Sequence, residues 1–342
     1  MELKRAVNTI LGWYGLKIVR LKNCDSEKGP RYTRPSYSDG TVPATAMDYL
    51  SRENPILKEL RSSYASMQHP AGMNPDWTER RVNTDIDLRH FRGDNAYVYQ
   101  YRSVGSDAEL KYLLYAYYIS RLDRMELLNR IEEDGLFGAY TFNFNDRLKV
   151  SKDLLDSISQ IYFLEDSLGL SQMQDLRIID IGAGYGRLAH RMVQSLHNIG
   201  MYYCVDGVAE STFLCDFYIA YRGLTEKAIS VPLFEIEQVV RSTKINLAIN
   251  IHSFSQCPLS VITWWLDLIR HNQVRYLFLV PNSEPHDELL SCEINGTRCD
   301  YSDAIHKRGY RLLKKVPKFQ DSSLQKLFHL GSIYYYLFEL VE

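Results

Sequence analysis

The rhythm of hydrophobic and polar positions changes at Gly169. Beyond it, short apolar runs alternate with amphipathic stretches. The runs RIIDIG (177–182), MYYCVDG (201–207), AISVPLF (228–234), INLAIN (245–250) and YLFLVPN (276–282) have the length and bulk of buried strands. Between them, LAHRMVQSLHNIG, STFLCDFYIAYRG and LSVITWWLDLIRH carry helical periodicity. Buried strands separated by helices predict a parallel sheet covered on both faces. The last two apolar segments, GYRLLKKVPKF and SIYYYLFELVE, have no obvious helix between them and read as an antiparallel pair closing the sheet. The expectation is an α/β, Rossmann-like sheet of seven strands.

The first half reads differently. Residues 24–47 are polar with Gly and Pro punctuation, which predicts loop. A short helix is expected over Ala46–Ser66, and the stretch from Gln68 to Tyr101 is interrupted by Pro70, Gly72, Pro75 and Gly93. From Ser106 to Asp134, leucines and tyrosines recur at helical spacing until Gly135 ends the run. Gly135–Asn145 reads as a connector. Ser151 is placed to cap a helix that Gly169 closes. This divides the chain into a mainly helical region, 1–150, and an α/β domain, 151–342.

Composition narrows the picture modestly. Net charge is −2, without the basic footprint of a nucleic-acid binder. Six cysteines form no C-x-x-C pair and read as free thiols in a reducing compartment, so a cytoplasmic location is expected. No apolar run is long enough to span a bilayer. The N-terminal MELKRAVNTILGWYGLKIVRL mixes bases with apolar residues, either as an ordinary packed helix or as a peripheral contact with an anionic membrane. The 1–150 region is otherwise expected to act as a lid over the site or as a homodimer contact.

The chemistry centres on the end of the first strand of the α/β domain, Asp180-Ile181-Gly182-Ala183-Gly184-Tyr185-Gly186. Glycines there let the backbone turn tightly and approach a ligand. The next helix offers free N–H groups to an anion. A dinucleotide site would show G-x-G-x-x-G. Here the third glycine comes one position early, and Arg187 stands where the dinucleotide glycine would be. Asp180 suits a ligand carrying sulfonium and ammonium charges. Asp206, at the end of the second strand with Gly207 after it, is placed to accept both ribose hydroxyls. Together these favour S-adenosylmethionine over NAD. Ala183, Tyr185, Phe234 after the third strand and Asn250 at the end of the fourth complete the expected cofactor-binding set. Five β/α units and a terminal hairpin are also the arrangement of class I methyltransferases.

The segments DIGAGYGRLAHR, NIHSFSQC, VSKDLLDSISQIYFLEDSLG and YLFLVPN resemble the bacterial sugar O-methyltransferases, over roughly Phe137 to Asn282 and weakly upstream at FRGDNAYVYQYR. The resemblance implies methylation of a hydroxyl on a sugar in a glycan, glycolipid or polysaccharide precursor. Gln256 departs from the acid expected in that family, and Gly207-Val208 replaces its apolar-Pro pair.

His252 is the candidate general base, because it lies two residues past Asn250 where the methyl group should point. Asn250, Ser253 and Asn282 are candidate hydrogen-bonding partners of the acceptor. Glu284, His286 and Asp287 follow the fifth strand and offer donors to a divalent cation, although a solvated loop is the simpler reading and no metal is predicted. Tyr140, Phe142 and Trp77 are candidate sugar-stacking surfaces, with core packing the plainer role. No Asn/Asp-Pro-Pro-aromatic motif follows the fourth strand, which argues against base methylation. Three alternatives stay open: a methyltransferase with a non-sugar acceptor, a non-catalytic module of a polysaccharide assembly, and an NAD-dependent oxidoreductase.

Overall fold

A computed structural model describes residues 41–93, 97, 107–144, 148–282, 288–322, 324–325 and 333–341, with the backbone alone at 107–110. The N-terminal basic helix and the Glu284, His286 and Asp287 cluster lie outside the described residues.

The α/β half has the expected alternation. Strands β3 (Leu176–Ile181), β4 (Ile199–Val205), β5 (Ala228–Val231), β6 (Leu247–Ile251) and β7 (Tyr276–Val280) are joined by β8 (Tyr310–Pro317) and β9 (Tyr334–Leu340) in one seven-stranded sheet. Its order is β5-β4-β3-β6-β7-β9-β8. The first five strands are parallel, and β9 runs antiparallel between β7 and β8. Counted from β3, this order is 3-2-1-4-5-7-6, the Rossmann-like arrangement of class I methyltransferases. The switch in strand order falls at β3, which has β4 on one side and β6 on the other.

Strand alternation sends side chains to two cores. Ile178 and Phe278 pack on one face with Leu155, Ile158 and Phe163, while Ile179 and Leu277 pack on the other with Ile262 and Trp265. The first group belongs to the helix Lys152–Leu168. Ser151 Oγ caps it by accepting from Leu154 N, and Gly169, with φ of 62°, ends it. The helix Leu259–His271 coincides with the periodic segment read from sequence.

Departures occur where a local polar group outbids periodicity. The expected helix over 46–66 is α1 (Ala44–Met47) and α2 (Pro55–Ser66), because Asn54 caps the second by accepting from Ile56 N and Pro55 suits its first turn. The run from 106 to 134 is α4 (Asp107–Leu122) and α5 (Leu127–Arg130), following α3 (Glu79–Asp85). Asp123 accepts from Leu127 N at 2.7 Å and Leu128 N at 2.9 Å, and so starts a new turn. The connector at 135–145 contains β1 (Thr141–Phe144), which pairs antiparallel with β2 (Leu148–Ser151). The helix predicted to reach Gly200 stops at Ser195 because Ile199 enters β4.

The two regions share cores. Tyr112, Ile119 and Phe142 pack with Leu155, Ile178 and Phe278. Leu50, Leu57 and Phe91 pack with Tyr185, Val208 and Phe213. The hairpin β1–β2 also crosses the expected boundary at residue 150.

Candidate functional site

A cleft of about 290 Å³ opens above the carboxyl ends of β3, β4, β6 and β7. This is the place where an open α/β sheet binds ligands. Its floor is the turn after β3. Gly182, Gly184 and Gly186 have φ of 77°, 58° and 81°. A Cβ on Gly182 would meet Ser253 Oγ at 2.1 Å, and one on Gly184 would meet the Tyr97 ring at 3.1 Å. The turn is therefore a cradle against which Ser253 and Tyr97 pack in the space a Cβ would take. Gly186 differs. It does not line the cleft, and its missing Cβ instead makes room for Cys215 Sγ, 2.9 Å from where that carbon would sit. The glycine expected to bind cofactor thus serves packing between two helices, Arg187–Ser195 (α7) and Ala209–Tyr221 (α8).

Two acids stand on this floor. Asp206 accepts from Gly184 N at 3.0 Å and from Val208 N at 2.9 Å, which ties the end of β4 to the glycine turn. Burial raises its pKa to about 6, against the pull of those amides. Asp180 is buried, accepts from Tyr202 Oη at 2.8 Å, and is likewise raised by burial to about 6. Two carboxylates at the floor of the cleft suit a ligand that brings positive charge. Ala183 and Gly207 also line the cleft.

Tyr185 lines it too, but its hydroxyl donates to Asp153 at 2.9 Å. Asp153 belongs to a buried network. Arg92 donates to Glu133 at 2.8 Å and to Asp153 at 3.1 Å, and Arg191 donates to Glu133 at 2.7 Å. Burial alone would raise Asp153, yet Arg92 and Arg191 outweigh it and hold the carboxyl well below the ordinary range. The network joins the first half of the chain to the glycine turn.

Two more expected cofactor residues are, like Gly186, not in the cleft. β5 ends at Val231, and Pro232 turns the chain into a short 3₁₀ segment. Phe234 is consequently 45% exposed, edge-on to Tyr64, above a separate surface groove. Asn250 is buried beneath the floor. Its amide nitrogen donates to Ile181 O at 2.8 Å and to Ser253 Oγ, while its oxygen accepts from Phe254 N at 3.0 Å. That amide clamps β6 to β3 and has no group left for cofactor or acceptor.

His252 lies in the cleft at the end of β6, with φ of 70°. Its backbone N–H donates to Val280 O at 2.7 Å, which fixes the bend against β7. Burial, then Lys152 and Arg187, lower its pKa to about 3. The ring is neutral at physiological pH, but its basicity is far below that assumed from imidazole's ordinary value. Ser253 and Asn282 line the same wall.

Several lining residues had escaped the sequence reading. Lys152 and Asp156, one helical turn apart, ion-pair at 2.6 Å, and Lys318 reaches Asp156 at 2.5 Å. The i,i+4 spacing of the first pair was a visible signal; Lys318 had none. Tyr97 roofs the opposite end beside Trp77, the stacking candidate named from sequence, with 6.2 Å between ring centres. Trp77 Nε1 donates to Gln256 Oε1 at 2.9 Å, so the residue replacing the expected acid is held by the first half of the chain. Tyr140 and Phe142 instead pack against Tyr112. Among the described residues, no group of three or more His, Cys, Asp or Glu is arranged to hold a metal, and no helix is long and apolar enough to cross a membrane.

No protein-family model matches the chain, and no curated protein matches it. Solved structures do. A Streptococcus pneumoniae protein assigned as a tRNA (m1A22) methyltransferase is 13% identical, covering 56% of this chain and 71% of its own, with a TM-score of 0.38. An S-adenosylmethionine-dependent methyltransferase of Clostridium acetobutylicum is 10% identical, over 54% of this chain and 91% of its own, with a TM-score of 0.39. A SAM-dependent methyltransferase of Aquifex aeolicus is 13% identical, over 52% and 89%, with a TM-score of 0.37.

Proposed function

We propose that this chain is an S-adenosylmethionine-dependent O-methyltransferase acting on a sugar hydroxyl. The observation that carries the cofactor is the pairing of Asp206 with the Gly184 amide across the ends of β4 and β3. The residues present fit the group. Gly182 and Gly184 line the floor without side chains, Asp206 would face its ribose hydroxyls, and Asp180 would offer negative charge to its cationic end. The sugar acceptor rests on the likeness of residues 137–282 to the sugar O-methyltransferases. The exclusion of nucleic acid rests on the charge balance and the absent base-methylation motif.

When bound, S-adenosylmethionine supplies an electrophilic methyl group on a sulfonium. The chain's task is alignment. The bend at His252 puts a neutral imidazole on the cleft wall, where a ring nitrogen accepts a hydrogen bond from the acceptor hydroxyl and turns the oxygen lone pair inward. Trp77 and Tyr97, with Ala71 and Asn74, wall the opposite end of the cleft.

Calorimetry should show binding of S-adenosylhomocysteine and none of NAD, and the reverse preference would overturn the reading. Labelled methyl transfer to extracted glycans should vanish in His252→Ala while homocysteine-product binding persists. Turnover close to the parent's would remove His252 from the mechanism.

A further inference from the structure

The cleft is electrostatically two-ended. Asp206 and Asp180 mark the cofactor end, at β4 and β3. At the other end, past His252, stand three cations from separate elements: Lys152 from the start of its helix, Arg187 from the first turn of α7, and Lys318 just beyond β8. Among the described residues only Asp156 forms ion pairs with this group, bridging Lys152 and Lys318. Arg187 hydrogen-bonds neutral atoms alone: Ser157 Oγ at 2.7 Å, Gln160 Oε1 at 3.1 Å and Asp153 O at 3.5 Å. Asp153 lines the same cleft but is already paired with Arg92, while Asp180, bonded to the neutral Tyr202, keeps its charge and acts on Arg187. Three positive charges against two negative leave this end formally at +1, counted over Lys152, Arg187, Lys318, Asp156 and Asp180.

We propose that the acceptor carries an acidic group, a carboxylate or a phosphate monoester, which seats between Lys152, Lys318 and Arg187 and directs the hydroxyl to His252. This deepens the methyltransferase reading and rests on it. Buried cations without counter-anions are costly, and they are retained where a ligand supplies the charge. Lys318 is only 8% exposed, and its pKa falls to about 8, first through burial. An incoming anion reverses that pressure and offsets the part of the lowering of His252 that comes, after burial, from Lys152 and Arg187.

A rival use of the same cations is to hold the methionyl carboxylate of the cofactor. Strand order separates the two for Lys318. β8 is at the sheet edge opposite the β4 and β5 side, with β9 and β7 between it and β6. Lys318 therefore enters from the side away from Asp206. Arg187, directly after the glycine turn, is the cation best placed to serve both.

The test titrates glucuronate, glucose 6-phosphate and glucose into the full-length protein, with and without saturating S-adenosylhomocysteine. At least one acidic sugar should bind ten-fold or more tightly than glucose. The tighter of the two identifies carboxylate or phosphate as the source. Lys318→Met should erase that preference and leave S-adenosylhomocysteine affinity within three-fold of the parent; Lys318→Arg should restore it. Lys152→Met provides the same readout if the first variant fails to fold. Equal binding of acidic and neutral sugars overturns the proposal. So does a Lys318→Met variant whose main defect is in S-adenosylhomocysteine binding, because the cations would then serve the cofactor. Absence of S-adenosylhomocysteine binding by the parent would refute the cofactor reading separately, since the sugar titrations without it still report the anion preference.

Discussion

Replacing Asp206 with Asn should separate what the site does for the ligand from what it does for the fold. The carboxylate is half-buried, and its pKa of about 6 exceeds the ordinary 3.8. Keeping it ionised at pH 7 therefore costs the folded state about 3 kcal/mol. Asparagine removes that cost. It also forfeits one of the two backbone contacts, because an amide has one acceptor oxygen for the N–H groups of Gly184 and Val208. Leaving one buried donor unpaired costs roughly 1–3 kcal/mol, so the two effects nearly cancel. Ligand binding has no such compensation. Two charge-assisted hydrogen bonds to ribose hydroxyls, at about 1.5 kcal/mol each, are lost, so S-adenosylhomocysteine affinity should fall about 100-fold. The sign of the pH effect follows from the raised pKa. The folded state holds the proton more tightly than the unfolded one, so this group's stabilisation is full below about pH 4 and lost as pH rises through 6. The variant should lack that decline. Denaturant titrations at pH 4.5 and 7, with calorimetry at pH 7, measure all three effects. An affinity within three-fold of the parent at pH 7 would refute the role given to Asp206.

Two further substitutions test the surroundings. Gly182→Ala and Gly223→Ala both force a non-glycine residue to positive φ, at 77° and 66°, but only the first brings a Cβ onto Ser253 Oγ. Gly223→Ala should cost about 1–2 kcal/mol in urea unfolding and leave cofactor affinity intact, whereas Gly182→Ala should cost more and lose affinity. Equal behaviour would mean that the cradle is not filled. Arg92→Met leaves Glu133 and Asp153 with Arg191 as their remaining charged partner. It should destabilise the fold by roughly 3–5 kcal/mol at neutral pH. Because Asp153 is depressed in the folded parent, that loss should shrink as pH falls below about 4, and a pH-independent loss would count against the network.

What could be read from sequence was local. The strand, glycine turn and helix over 176–195 are contiguous, and Asp206 follows at a fixed interval set by one βαβ unit. Phe234 was misplaced because proximity to a strand end does not fix direction, and Pro232 turned the chain outward. Asn250 was right in position and wrong in role. Its amide is consumed by Ile181, Ser253 and Phe254, a geometry that residue identity does not disclose. Lys318 joins Asp156 across 162 residues, after an antiparallel return whose register no local pattern reveals. The division drawn at residue 150 falls inside the β1–β2 hairpin, and one apolar core joins residues before and after it.

The direction in which charge moves during methyl transfer bears on the two-ended cleft. S-adenosylmethionine, if bound, would supply a positive charge that passes from its sulfonium toward the acceptor oxygen, whose proton would then have to be taken up. A cofactor end lined by Asp180 and Asp206 stabilises the starting charge. An acceptor end holding Lys152, Lys318 and Arg187 opposes its arrival, in a cleft where screening by water is weak. His252, with its pKa near 3, offers little proton affinity to offset this. Such a cleft works poorly on a neutral acceptor and well on one that brings its own negative charge. The anion offsets the opposing field of the cations and fixes the hydroxyl's position in one binding event. An acidic acceptor should consequently be favoured in turnover beyond its advantage in binding, and the excess should disappear with Lys318→Met.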